Sequence, residues 1–209
     1  QRQMCIRDRV GLSDPIRAEA KDAVALAHQA GIKVIMLTGD HTETARRIGR
    51  EIGLSTERVI TGQEFLSMNE KQQRELVKTT EIYSRVAPNV KLAIITALKQ
   101  NGEVVAMTGD GVNDVPALSG ADVGIAMGSG SHIAKDAGAI ILLDNNFKTI
   151  IDAMREGRTI IANVKRMLFY LLSTNTGELI TMIGALLIGI KTPLEPVQIL
   201  WVNLVTDTS

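Results

Sequence analysis

Short apolar runs alternate with amphipathic stretches along most of this chain. Val34-Ile35-Met36-Leu37, Val104 to Met107, Val123 to Ala126 and Ile140 to Leu143 are short and β-rich, and weaker runs lie near Val59–Ile60 and Ile82–Val86. Between most of them apolar residues recur at helical spacing, as in Ala20, Ala23, Val24 and Ala27, or Ala45, Ile48 and Ile52. Strands that alternate with helices predict an α/β fold: a Rossmann-like parallel sheet covered on both faces. Local signals set the expected helix ends. Asp14 reads as a cap with Pro15 at the first helical position and Gly31 as the stop. Asp40 reads as the cap of a helix that Gly53 ends, and Pro88 as the first residue of a helix that places Lys91 one turn in. Gln63 to Thr80 is polar and lysine-rich, which predicts a surface insertion with one helix. Gly128-Ser129-Gly130 reads as a strand-to-helix turn with no ligand.

From Met167 to Ile190 the pattern changes to an almost continuous apolar run. At about 1.5 Å per residue it is long enough to cross a bilayer core of roughly 30 Å. Arg155, Arg158, Lys165 and Arg166 precede it and predict that this end lies in the cytoplasm. Lys191 to Pro196 reads as a polar turn, and a second apolar run starts at Val197. The expected organisation is therefore an α/β domain over 10–150, a helical connector over 151–166, a transmembrane helix over 167–190, a turn over 191–196 and the start of a next span over 197–209. Gln1 to Arg9 is highly charged, lacks this patterning and stays outside the fold reading.

Composition narrows the function classes. The 209 residues carry no net formal charge and only 3% aromatic residues, so no basic surface with stacking rings points to nucleic acid. Cys5 is the single cysteine, which excludes a disulfide framework, and His28, His41 and His132 lack zinc-ligand spacing.

The chemistry concentrates in Thr108-Gly109-Asp110-Gly111-Val112-Asn113-Asp114. A strand that ends in a Gly-rich turn and feeds a helix aims backbone N–H groups at one point, a geometry that suits phosphate. Asp110 and Asp114 share that turn. Carboxylates repel a phosphate unless a hard cation lies between them, so the turn reads as a magnesium–phosphate site. Thr38-Gly39-Asp40 follows another strand directly, where parallel sheets bind ligands. Lys91 lies between the two turns in sequence and could share one anion with both. In the apolar spans, Asn175 and Glu178 share a helix face, and Asn203, Thr206 and Asp207 repeat that spacing. Polar side chains inside a span are costly, and these five bear the oxygens that a hard cation needs.

Thr38, Lys91 and the Gly109-Asp110 pair, in this order, resemble the haloacid-dehalogenase superfamily. Asp14-Pro15-Ile16-Arg17, Met36-Leu37-Thr38-Gly39-Asp40, Arg85-Val86-Ala87-Pro88 and Thr108-Gly109-Asp110-Gly111-Val112-Asn113-Asp114 are similar, more narrowly, to the phosphorylation domain of P-type cation-transporting ATPases. Asn175-Thr-Gly-Glu178 and Asn203-Leu-Val-Thr206-Asp207 resemble the fifth and sixth membrane helices of the sarcoplasmic-reticulum and secretory-pathway calcium pumps, as do Leu143 to Phe147 and Glu156-Gly157-Arg158. The resemblance implies an integral membrane protein with a cytoplasmic catalytic domain, ATP and Mg2+ as cofactors, and Ca2+ as cargo. It implies that Asp110 ligates magnesium, Asp114 supports that metal, Thr38 and Gly39 bind phosphoryl oxygens with Asp40 beside them, Lys91 neutralises charge and Asn113 hydrogen-bonds the phosphoryl group. Asp14, Arg17 and Arg85 fall with Thr38 and Lys91 on the nucleotide side.

The family's nucleophile sits in an Asp-Lys-Thr-Gly-Thr motif, which these 209 residues do not contain. The resemblance therefore implies a fragment whose remaining pump domains are its partners, along with membrane lipid and the cation, and which is inactive alone. Sodium/potassium- and manganese-transporting P-type pumps are alternatives. A soluble phosphatase of the superfamily would need an upstream aspartate pair and no apolar span. A decayed, non-catalytic membrane protein would not retain Thr38, Lys91, Asp110 and Asp114 together.

Overall fold

The computed structural model describes residues 15–190 and 195–207, so the cap expected of Asp14 and most of the turn after Ile190 lie outside the described residues. The chain divides into two compact units at Ile151/Asp152. In chain order the first unit holds α1 (Ala18–Gln29), β1 (Met36–Leu37), α2 (Thr42–Ile52), β2 (Val59–Thr61), α3 (Gly62–Ser67), α4 (Glu70–Thr79), β3 (Ile82–Ser84) and α5 (Pro88–Gln100). It continues with β4 (Ala106–Gly109), a 3-10 turn over Val112–Asp114, α6 (Val115–Gly120), β5 (Val123–Met127), α7 (His132–Ala137) and β6 (Ile140–Leu142). Then come α8 (Phe147–Ile188), whose first turns belong to this unit, and α9 (Pro196–Asp207).

Every strand pairing among the described residues is parallel, as the alternation of runs predicts. The ladders form two three-stranded sheets, ordered β1-β3-β2 and β4-β5-β6, with β1 and β4 each at an edge. β3 is the centre of the first sheet and all of its residues are buried. Its pleat explains the double cover. Tyr83 points into a cluster with Phe65 of α3, Leu76 and Val77 of α4, and Val90 and Ile94 of α5. The Phe65 and Tyr83 rings meet edge to face at 5.7 Å. Ile82 points the other way, into Val24 of α1 and Ala45 of α2. Gly49 lets α2 approach closely, because a Cβ there would lie 2.3 Å from the Ile82 Cδ1.

Three local expectations change. α1 begins at Ala18 rather than at Pro15: Arg17 is extended at the N-cap and its carbonyl accepts from the Ala20 N–H. Gly31, at φ +72°, ends the helix as expected. Asp40 does not cap α2. The N-cap is His41, and the Asp40 backbone is taken up by the loop after β3. Gln63 to Thr80 falls largely in two helices rather than one, and Phe65, Leu76 and Val77 enter the core. Two reciprocal caps drive the split, Thr61 with Glu64 and Asn69 with Gln72, each side chain satisfying the other's free backbone N–H.

α8 is long and apolar enough to cross a membrane, and none of its apolar window is buried. Phe169, Leu186, Leu187 and Ile188 are each at least 76% exposed.

Candidate functional site

Two strand ends build the site. At the first, the Thr38 N–H donates to the Tyr83 carbonyl at 3.0 Å, the Val86 N–H to the Thr38 carbonyl at 2.9 Å and the Arg85 N–H to the Asp40 carbonyl at 3.0 Å. These bonds lace the turn after β1 to the loop that leads into α5. Arg85 adopts φ +49° there, and its guanidinium meets His41 Nδ1 at 2.8 Å. The Thr38 hydroxyl oxygen accepts from the Asp40 N–H at 3.1 Å, which leaves its proton for another acceptor. Gly39 is exposed, with open space where a side chain would be.

α5 starts one residue beyond that loop, with Pro88 at its first position, where a missing N–H costs nothing. Lys91, a turn in, reaches out of the first sheet to the turn after β4. Its ammonium meets Asp114 Oδ1 at 2.5 Å, and the two side chains are only 17% and 10% exposed. Asp114 Oδ2 turns back and accepts from the Asp110 and Gly111 N–H groups, each at 3.3 Å. The carboxylate thus sits under its own turn. Gly109 is required for this, since a Cβ at 109 would lie 2.5 Å from the Asp114 Cβ.

The two carboxylates therefore differ. Asp114 is buried and held by one ammonium and two amides, whereas Asp110 is exposed and its carboxylate is held by no hydrogen bond or ion pair among the described residues. Asn113 is exposed on the same turn. The donor set fits magnesium, which takes one or two carboxylates and keeps water or phosphate in its other positions. No cluster of three or more acidic, His or Cys side chains is found among the described residues. Lys91 thus ties the head of α5 to the Asp110 turn, and the loop leading into α5 is the one laced to the Thr38 turn. Arg17 lies elsewhere, with its guanidinium on the Asn145 carbonyl just before α8.

In the second unit Asn175 is exposed, and one Glu178 carboxylate oxygen is buried without a hydrogen-bond partner. Thr174 and Thr181 spend their hydroxyls on carbonyls of their own helix. Asn203 is half-buried on α9. The side chains of Thr206 and Asp207 lie outside the described residues.

Sequence reasoning read Ser129 in a turn and Asn145 before a helix but missed that the two bond to each other. The Ser129 N–H and hydroxyl both donate to the Asn145 side-chain carbonyl, at 3.0 and 3.1 Å. One local signal was the Asn pair before a helix, which favours left-handed backbone and caps.

Parallel α/β layers with a Gly-rich turn and a free carboxylate at the end of β4 define a domain of the doubly wound class, in which ligands bind at strand ends. The model for haloacid dehalogenase-like hydrolases matches residues 5–122, more than half of the chain, and the chain belongs to that family. Similar proteins include "Calcium-transporting ATPase 1" of Bacillus cereus, 44% identical over 95% of this chain and 23% of its own length. The "Probable calcium-transporting ATPase" of Trypanosoma brucei brucei is 46% identical over 94% of this chain and 20% of its length. The "Endoplasmic reticulum calcium ATPase srcA" of Aspergillus fumigatus is 44% identical over 99% of this chain and 22% of its length. The chain thus spans about a fifth of the curated relatives it matches. Among solved structures, a zinc-transporting PIB-type ATPase in an E2.Pi state aligns over 93% of this chain and 26% of its own, with a TM-score of 0.66 at 26% identity. The catalytic domain of a CPx-ATPase, CopB-B, aligns over 68% and 46%, with a TM-score of 0.53 at 34% identity.

Proposed function

We propose that this chain is a segment of an ATP-driven P-type pump that carries Ca2+ across a membrane. The observation that carries the reading is the turn after β4: a buried Asp114 locked to Lys91, and an outward Asp110 left free beside it. An outward carboxylate next to a fixed ammonium is a geometry for holding a phosphoryl group together with a metal. Calcium as cargo rests on the relatives, which are named as calcium-transporting and are 43–46% identical.

In this reading the γ-phosphoryl group of ATP passes to an aspartate supplied by the rest of the pump, ADP leaves, and water later releases phosphate. Asp110, with Asp114 supporting it, would hold Mg2+, which would supply charge neutralisation at the transferring oxygens. Lys91 presents an ammonium to the same oxygens, and Asp114 keeps that ammonium aimed. The Thr38 hydroxyl, with its proton free, and the open Gly39 backbone receive a phosphoryl oxygen. Asn113 donates from the opposite turn. Arg85, positioned by Asp40 and His41, faces the nucleotide side, while Arg17, on the Asn145 carbonyl, orders the hinge before α8. α8 crosses the membrane from a cytoplasmic first unit, and Asn175 and Glu178 on α8 with Asn203, Thr206 and Asp207 on α9 ligate the cation. The unpartnered, buried Glu178 oxygen supports that assignment, because a carboxylate so placed is costly without a proton or a cation.

The test is phosphoenzyme level in the intact pump against free Ca2+, Na+ and Mn2+. Activation by Ca2+ at the lowest concentration is expected. Activation by Na+ alone replaces the calcium reading with a sodium-pump one.

A further inference from the structure

The Gly128–Ser131 loop joins the Asp110 turn to the root of α8. On one side, the Ser131 N–H donates to the Asp110 carbonyl at 2.9 Å, and Gly130 packs so closely that a Cβ would lie 2.8 Å from that same oxygen. On the other side, Ser129 grips the Asn145 side-chain carbonyl with both its N–H and its hydroxyl. Asn145 stands at φ +53°, a conformation that Asn tolerates and most residues resist. Its own carbonyl accepts from Arg17. The next residue, Asn146, opens α8: its side chain accepts from the Lys148 N–H at 2.9 Å and its carbonyl from the Thr149 N–H at 3.1 Å. A contiguous set of short bonds therefore runs from the backbone of Asp110 to the first turn of the helix that carries Glu178.

We propose that Asn145 is a positioning residue that couples the Asp110 turn to the start of α8, through the Ser129 clip. The proposal rests on the pump reading. A ligand at Asp110 shifts the loop, and the clip passes that shift to the helix root instead of letting the loop yield. By linkage, cation binding on α8 acts back on phosphorylation through the same bonds.

The variants separate the clip from the fold. Asn145→Gly keeps the backbone conformation, which glycine adopts freely, and removes only the side-chain arm. Asn145→Asp retains an acceptor for both Ser129 donors and serves as the conservative rescue. Ser129→Ala removes one of the two donors. In the intact pump, the ratio of phosphoenzyme formed from ATP at saturating against zero Ca2+ is expected to fall at least tenfold in Asn145→Gly. Ser129→Ala should fall between, and Asn145→Asp should stay within twofold of the parent. A residue that only supports the fold would lower phosphoenzyme at every calcium level and leave the ratio unchanged; that result overturns the proposal. Hydrogen exchange of the 128–131 amides is measured on the same proteins, and it should quicken about tenfold in Asn145→Gly but not in Asn145→Asp. Unchanged exchange removes the clip, whatever the pump does. A parent that forms no phosphoenzyme from ATP with any cation refutes the pump reading instead.

Discussion

Lys91 and Asp114 lie 23 positions apart in sequence and meet at 2.5 Å, the lysine from the first turn of α5 and the aspartate from beneath the turn after β4. The pair fixes an ammonium at the turn that carries the free Asp110 carboxylate and ties the second sheet's turn to the first sheet's helix.

Removing either partner leaves a largely buried charge alone. Lys91→Met should destabilise the domain by roughly 2 kcal/mol, somewhat below the ~3–5 kcal/mol of a fully buried pair. It should also abolish phosphoenzyme formation. Asp110→Asn should leave stability within about 0.5 kcal/mol, as expected for an exposed side chain, while phosphoenzyme is lost just as fully. Denaturant melts and phosphoenzyme assays on the two variants separate the roles; equal destabilisation by both would refute the division.

Gly109 makes room for Asp114. Gly109→Ala sets a methyl 2.5 Å from the Asp114 Cβ, so the turn must shift. A loss of about 1–3 kcal/mol is expected from such overpacking. The accompanying loss of phosphoenzyme should exceed that of Gly39→Ala, where the structure leaves open space. A harmless Gly109→Ala would mean that Asp114 is not held as described.

Glu178→Gln should weaken calcium activation of phosphorylation from ATP at least tenfold, while phosphorylation from inorganic phosphate persists. The buried oxygen loses its negative charge but keeps its size, so the cation loses an anionic ligand and the helix packs as before. If activation by every ion is unchanged, Glu178 is a packing residue.

Tyr83 sets an alkaline limit. Burial pushes its phenol up to about 12, offset only in part by the nearby Thr80 hydroxyl. Neither hydroxyl makes a geometrically sound hydrogen bond, so burial is the stronger effect. In the unfolded chain the phenol ionises near 10, so the unfolded state sheds its proton first. Stability is therefore intact below pH about 10 and falls as pH rises toward 12. Tyr83→Phe should flatten that fall and cost little at neutral pH, because no hydrogen bond is lost. Thermal unfolding of the detergent-solubilised chain from pH 8 to 12 measures both.

Much of this was readable along the chain. The order of strands and helices, the Gly stops at 31 and 53, Pro88 at the head of α5 and the uncovered apolar length of α8 all follow from period, cap chemistry and residue type. So does the carboxylate-bearing turn after β4. Each depends on neighbours within a turn or two, where one sequence permits one local solution. Even the missed split between α3 and α4 was local, written in two capping boxes at Thr61 and Asn69.

What only the tertiary structure decided is which of two similar groups is buried and which is exposed. Asp110 and Asp114 look alike in sequence, yet one faces outward and the other is buried because Lys91 arrives from α5 and Gly109 leaves room. Gly128-Ser129-Gly130 is an ordinary turn until Asn145, 16 residues from Ser129, folds back onto it. Such pairings depend on how parallel strands stack their crossovers. A sheet brings distant strand ends side by side, and no local periodicity records which ends those are.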